Sequence, residues 1–186
     1  MVWLQYGAMA GGAAGSPGDE LVEEVDVDGN VLRVVTRAEM RAGRLRHRAT
    51  FIAVVDGPNL LVHRRSPLKD VWPSRWDIAA GGVAAVGESW ADGARRELAE
   101  ELGIAAPVEE LGRGRFDDED AHVVGAVFVA RWSGPVSFAD GEVVEARWVD
   151  LEGLEALRST ATFCPDSLEL VLPRILPILE AADPPD

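Results

Sequence analysis

Cysteine and tyrosine each occur once in the 186 residues, as Cys164 and Tyr6. One thiol can close no internal disulfide and build no thiolate metal cluster, so a reducing cytoplasm is the simple expectation. Nothing beside Cys164 argues for activation, and it reads as a half-buried structural thiol. No apolar run approaches the roughly 18 residues that a membrane helix needs, which removes a membrane partner from the expectations. Positive charge is scarce: 18 Lys and Arg stand against 32 Asp and Glu, a formal net charge of −14. That balance excludes general affinity for a nucleic-acid polymer or an anionic membrane surface. The first 18 residues carry no Lys or Arg, and an Ala/Gly stretch stands where a secretory signal would have its apolar core. Residues 1–18 read as a disordered tail, with Met9 as an alternative start, and residues 19–186 as one domain of ordinary core size.

The basic residues that are present are gathered. Ten of the 18 lie between Arg33 and Arg75 against three acids (Glu39, Asp56, Asp70), a local excess of seven. Such a segment, leading into an acidic one, suits a phosphate-bearing ligand held by both. Alternation of apolar residues predicts a hairpin of Val22–Asp28 and Val31–Val35 around Asp28-Gly29-Asn30. A short helix follows from Thr36 as N-cap to Gly43 as stop. A second strand pair, Ala49–Val55 and Leu60–Arg64, is joined by Asp56-Gly57-Pro58-Asn59. Trp76–Ala80 reads as a short strand leading to Gly81-Gly82. Later strands are expected over Val108–Arg115, His122–Trp132 and Glu142–Val149, with a short helix over Leu151–Leu157. A terminal helix over Asp166–Glu180 should be shortened or kinked by Pro173 and Pro177. Strands on both sides of a central helix, with helices at the end, predict an α/β fold with a mixed sheet between helical layers.

The most informative stretch runs from Gly82 to Ile104. On a helix, Glu97, Glu100 and Glu101 stand at i, i+3 and i+4, so their carboxylates share one face. Three like charges brought together repel, and helix stability gives no reason to gather them. A hard divalent cation does: Mg2+ binds through a few carboxylates, waters and phosphate oxygens. Such an ion can bridge a diphosphate, neutralise charge developing at phosphorus and acidify water. The helix ends are also written in. Ser89 with Asp92 three residues on is a capping-box-like start, and Gly103 suits a left-handed C-terminal cap. Gly81 and Gly82 let backbone approach a ligand closely, so their carbonyl or amide groups are candidates for the metal or phosphate shell.

Gly82, Glu88, Arg96, Glu97, Leu98, Glu100, Glu101, Gly103 and Ile104 fit G-x5-E-x7-R-E-U-x-E-E-x-G-U, where U is aliphatic. The stretch resembles the signature box of the Nudix hydrolases, which cleave diphosphate linkages in nucleoside diphosphate derivatives and related organic diphosphates. The resemblance implies an α/β/α sandwich, Mg2+ as cofactor with Mn2+ able to replace it, and a small-molecule diphosphate as partner; a homodimer is left open. Glu97 and Glu101 are expected as principal metal ligands, with Gly81 contributing backbone and Glu100 as a further ligand or the group orienting water. Arg96 is expected to point off the metal face and pair with a carboxylate such as Glu88, fixing the loop before the helix. Because family members draw the general base from different places, Glu100, Glu142 and Glu145 all stay open.

Residues outside the box narrow this. Leu45-Arg46-His47-Arg48-Ala49, Leu60-Leu61-Val62-His63-Arg64-Arg65, Trp72-Pro73-Ser74-Arg75-Trp76 and, more loosely, Phe163-Cys164-Pro165-Asp166 resemble type I isopentenyl-diphosphate isomerase. That enzyme carries a catalytic cysteine just before the glycine that aligns with Gly82. Here the position is Gly81, which offers no acid/base group for proton shuffling. Its metal site uses several histidines, and only His47 falls at a matching place; His47 reads as structural. The chain thus resembles an isomerase-like branch with a hydrolase box. Isomerase activity and a nucleotide-sensing module without turnover are the alternatives. Family markers for dinucleoside polyphosphates, ADP-ribose and NADH are absent. Trp72 and Trp76 are candidates for stacking on the organic part of a substrate, against plain packing. Arg64 and Arg65 are candidates for its phosphates, and strand alternation allows at most one to face the pocket.

Overall fold

A computed structural model describes residues 17–138 and 141–182. Most of the expected N-terminal tail therefore lies outside the described residues; Pro17–Asp19 form one turn of 3-10 helix. The described residues form strands β1 (Leu21–Val25), β2 (Val31–Thr36), β3 (His47–Asp56), β4 (Asn59–Arg65), β5 (Trp76–Asp77), β6 (Val108–Asp117), β7 (His122–Arg131) and β8 (Val143–Val149). The helices are α1 (Arg37–Gly43), α2 (Trp90–Leu102), α3 (Leu151–Arg158), α4 (Pro165–Leu170) and α5 (Leu172–Ala182).

The architecture turns on β3, whose sequence is apolar on both faces and therefore needs cover on both sides. It pairs in parallel with β7, from His47 opposite Val123 to Val55 opposite Arg131. β7 pairs antiparallel with β6, and β4 pairs antiparallel with β8. Alternation along β3 then sorts the core. Ile52 and Val54 pack with Ala94, Leu98 and Leu102 of α2, together with Ala126 and Phe128 of β7. Phe51, Ala53 and Val55 pack with Leu170, Ile175 and Leu179 of α4 and α5. The fold is an α/β/α sandwich with a mixed sheet, as the order of elements implied.

Five local readings change. The hairpin turn is closed by Asp26, whose carboxylate accepts from the amides of Asp28 and Asn30, so β1 ends three residues early. In α1 the left-handed cap is Arg44 (φ 48°), and Gly43 is the last helical residue. β5 is only two residues long; the chain beyond it touches the sheet through the single bridge Ile52 to Ala80 before it reaches Gly81. The C-terminal helix is broken into α4 and α5 at Val171. Pro173 has no N–H to continue the ladder, and it disfavours helical backbone just before it. Cys164 is fully buried rather than half-buried, and burial raises its pKa so that the thiol stays protonated at neutral pH.

Candidate active site

Helix α2 is held at both ends by the groups its sequence advertises. The Ser89 hydroxyl accepts from the Asp92 amide, and Gly103 caps the far end in the left-handed region at φ 65°. Leu98 and Leu102 face the core, which places Glu97 and Glu101 at the boundary between core and cleft. Glu97 keeps 9% of its surface and Glu101 2%, whereas the Glu100 side chain is 55% exposed at the cleft rim. The three carboxylates thus share one side of the helix at two depths. Gly81 donates its amide to Glu101 Oε2 at 3.0 Å. Gly82 lies against Glu97: a Cβ there would stand 2.6 Å from Glu97 Oε1, so this carboxylate fits only because residue 82 has no side chain. The Gly82 carbonyl accepts from the Thr50 amide and is spent on the sheet.

Two cations answer these acids. Lys69, the one lysine of the whole chain, reaches Glu101 Oε1 at 3.2 Å and also pairs with Glu142. Arg96 donates to Glu88 at 2.9 and 3.0 Å, to Glu97 at 2.7 Å and to Glu100 at 3.0 Å. It pairs with Glu88 but also lies along the acidic face, so the picture of Arg96 pointing off that face needs correction. A long guanidinium can span its i+1 and i+4 neighbours and still reach the preceding loop. Hydrogen bonds from Arg96, with the Ala85 amide, hold Glu88 below the usual carboxylate range. With Lys69 and Arg96 in these positions, no three His, Cys, Asp or Glu side chains among the described residues converge as ligands. The donor set and the side-chain-free cradle at Gly82 nevertheless fit a hard cation that would replace this ammonium and guanidinium charge. Of the base candidates, Glu142 lines the cleft with Glu100, while Glu145 is paired to Arg64 and Arg147.

Burial dominates the electrostatics. It pushes the Glu101 carboxyl up to about 8, offset in part by Lys69 and the Gly81 amide. Burial also raises Glu97, against the pull of Arg96. Asp166, buried with Asp77 nearby, is pushed up to about 8 as well. His47 and His63 go the other way, down to about 4, because burial disfavours their charged forms. The sign of the linked stability follows. The acids keep a proton in the folded state that the unfolded chain gives up, so they cost stability as pH rises toward 8. The histidines cost stability as pH falls below their ordinary 6.5, so the two effects oppose one another only below that point. In EDTA the protein should therefore lose stability steadily between pH 6.5 and 8, as read by urea unfolding. Glu101→Gln should flatten that slope, and a flat wild-type profile would remove the buried acids as its cause.

The cleft beside α2 encloses about 660 Å³ and is lined by Lys69, Glu97, Glu100 and Glu142 with Arg37 and Arg41 of α1 opposite. Arg37 pairs with Glu20 and Arg41 with Asp70 at its rim. Of the residues expected to touch substrate, Arg65 and Trp72 line a smaller chamber next to this cleft. Arg64 does not; it points to the far side and pairs with Glu145 at 3.2 Å, as strand alternation requires when Arg65 points inward. Trp76 is a core residue, 7% exposed, with Arg147 over its ring. Sequence reasoning missed Lys69, because a lone lysine in a loop gives no periodic signal. It also missed Glu23 and Arg48, which pair at 2.9 Å and tie the Gly87 amide and the Glu88 carbonyl to the sheet.

Comparison with known proteins follows the same lines. The NUDIX domain model matches residues 45–167, which is more than half of the chain. The chain belongs to the Nudix hydrolase family. An uncharacterised Nudix hydrolase of Yersinia pestis is 43% identical over 152 residues, covering 81% of this chain and 82% of that protein. The uncharacterised Nudix hydrolase YfcD of Escherichia coli (strain K12) is 41% identical over 152 residues, covering 81% and 83%. In fold, the chain is similar to DR0079 from Deinococcus radiodurans, with a TM-score of 0.70 at 23% identity over 83% of this chain and 98% of that one. The NUDIX domain of NrtR from Shewanella oneidensis, solved with ADP ribose, aligns with a TM-score of 0.57 at 19% identity, over 74% and 96%. The stretch from Gly82 to Ile104 lies within the matched residues, and Lys69, Glu142, Arg37 and Arg41 are cleft residues outside that stretch. Just before the box, Gly81 sits at φ 155°, and a Cβ there would stand 1.9 Å from the Thr50 carbonyl oxygen. This backbone accepts no cysteine at 81.

Proposed function

We propose that the protein hydrolyses a diphosphate linkage in a nucleoside diphosphate derivative or a related organic diphosphate, with Mg2+ as cofactor and Mn2+ as a substitute. The observation that carries this reading is the pair of buried acids, Glu97 lining the cleft and Glu101 behind it against Lys69 and the Gly81 amide, with cationic side chains as their counter-charge. Burial of that much negative charge costs several kcal/mol per ion unless it is compensated, and a hard cation compensates it best. Glu97 and Glu101 would hold the metal, with Glu100 at the rim and the Gly81 backbone beside them. When bound, Mg2+ supplies neutralisation of diphosphate charge and a lowered pKa for water.

The chain's own groups have distinct tasks in this scheme. Glu142 and Glu100 line the cleft and are the carboxylates available to accept a proton from attacking water. Arg96 holds Glu88 and Glu97 in place. Arg37 and Arg41 line the same cleft and suit the oxygens of a phosphate chain. An isopentenyl-diphosphate isomerase activity is disfavoured, because neither the sequence nor the backbone at Gly81 offers the thiol. The buried lone cysteine fits a cytoplasmic setting.

The test is a phosphate-release screen over nucleotide sugars, dinucleotides, nucleoside diphosphates and triphosphates, CoA and prenyl diphosphates, with Mg2+, with Mn2+ and with EDTA. Turnover that needs the divalent ion is expected with at least one class. Tight binding without turnover across the panel would replace the hydrolase reading with a sensing one.

A further inference from the structure

The loop from Val83 to Ser89 joins the sheet to α2, and its two halves are held in different ways. The near half is bound to β3 by backbone: the Thr50 amide donates to the Gly82 carbonyl, and the Ala84 amide to the Arg48 carbonyl. Beyond the bridge from Ala85 to Val22 the chain leaves the sheet, and side chains take over. Glu23 of β1 accepts from the Gly87 amide through Oε1 at 3.0 Å and from Arg48 Nη1 through Oε2 at 2.9 Å. Arg48 Nη2 donates to the Glu88 carbonyl at 3.1 Å, and its guanidinium lies 4.1 Å from the centre of the Trp90 ring. Trp90 is the first residue of α2, so one planar fork grips a carboxylate, the end of the loop and the start of the helix.

Stability gives a weak reason for this arrangement. The Arg48 and Glu23 side chains are 12% and 9% exposed, and a buried ion pair gains little over apolar residues of the same shape. Geometry gives a stronger one. Glu88 is where the loop meets the acidic face: its carboxylate takes Arg96 at 2.9 and 3.0 Å, and Arg96 takes Glu97 at 2.7 Å. Glu97 has little freedom beside Gly82, where a Cβ would stand 2.6 Å from its Oε1. A shift of the helix at Trp90 carries to Glu97, about 10 Å further along at 1.5 Å per residue.

We propose that Arg48, locked by Glu23, is a positioning residue for the metal site: it sets the place of Glu88 and of the start of α2, and through them the place of Glu97. The proposal rests on the reading of Glu97 and Glu101 as metal ligands. The Arg48 side chain ends on Glu23, Glu88 and Trp90, so its effect on the metal is exerted through them. Groups that hold metal ligands from behind are worth roughly 10–100-fold in metal affinity or activity.

The experiment measures Mn2+ binding to the full chain by electron paramagnetic resonance of the free ion, beside Mg2+-dependent turnover and thermal melts. Arg48→Lys keeps a cation for Glu23, so it should fold, but an ammonium lacks the fork that reaches Glu23 and Glu88 together. It should bind Mn2+ about tenfold or more weakly than wild type. The Mg2+ concentration for half-maximal rate should rise alike, with kcat regained at saturating Mg2+. Glu23→Gln combined with Arg48→Met removes both charges, so neither is left buried alone, and it should weaken Mn2+ binding to a similar degree. Leu179→Ala, in the core on the opposite face of the sheet, should lower the melting point and leave Mn2+ affinity as in wild type. The assignment is overturned if either folded Arg48 variant binds Mn2+ like wild type, or if Leu179→Ala weakens binding as much as they do. In those cases the metal reading stands and only the positioning role falls. Wild-type protein that binds no Mn2+ would instead remove the metal reading itself, and the positioning role with it.

Discussion

Glu101→Gln should yield a folded protein whose Mg2+-dependent turnover is lower by about a thousandfold. The size follows from what the carboxylate is asked to supply: a bound metal contributes several kcal/mol at the transition state, and each 1.4 kcal/mol or so is a factor of ten. Folding should survive, because glutamine keeps an oxygen for the Gly81 amide and brings no charge into the buried position. Lys69 also retains Glu142 as a partner. Glu97→Gln should behave alike, whereas Glu100→Gln, at the exposed rim, should cost less unless Glu100 is the base. Steady-state kinetics beside melting curves separates these cases. Full activity in Glu101→Gln would remove the proposed metal site.

Gly81→Cys should unfold readily and should not isomerise a prenyl diphosphate. The new Cβ would collide with the Thr50 carbonyl in the middle of the sheet, at a φ that side chains rarely adopt. Relief requires moving backbone, at about 3 kcal/mol or more, or a melting point lower by roughly 6–12 °C for a domain of this size. Gly82→Ala makes the informative contrast. Its Cβ meets only the flexible end of Glu97, so stability should change little while the Glu97 carboxylate is pushed from the cleft and activity falls. Equal melting of Gly81→Cys and wild type would mean that residue 81 can adopt another backbone, and the isomerase alternative would reopen.

Where the sequence was legible, a local rule and a tertiary need agreed. The box helix begins and ends where Ser89 and Gly103 place it, because each cap bonds within one turn of the helix. The order of strands and helices predicted a mixed sheet between helical layers, and the core on both faces of β3 supplies it. The spread of Glu97, Glu100 and Glu101 along one side of α2 was also readable, but their different depths were not, since depth depends on where the cleft opens. Arg64 and Arg65 show the same limit: alternation says that one faces inward, and only the tertiary structure says which. Lys69 was out of reach for a further reason. It arrives from a loop and belongs to no periodic pattern.

The solitary Lys69 has a practical consequence. A reagent that acylates amines finds one side-chain ammonium in the whole chain, and it stands against Glu101 and Glu142 beside the cleft. Mass spectrometry of a briefly acylated sample would therefore report the state of the cleft through a single mass increment, apart from the amino terminus. Ligands could be ranked by how well they protect that one amine, before any substrate is known.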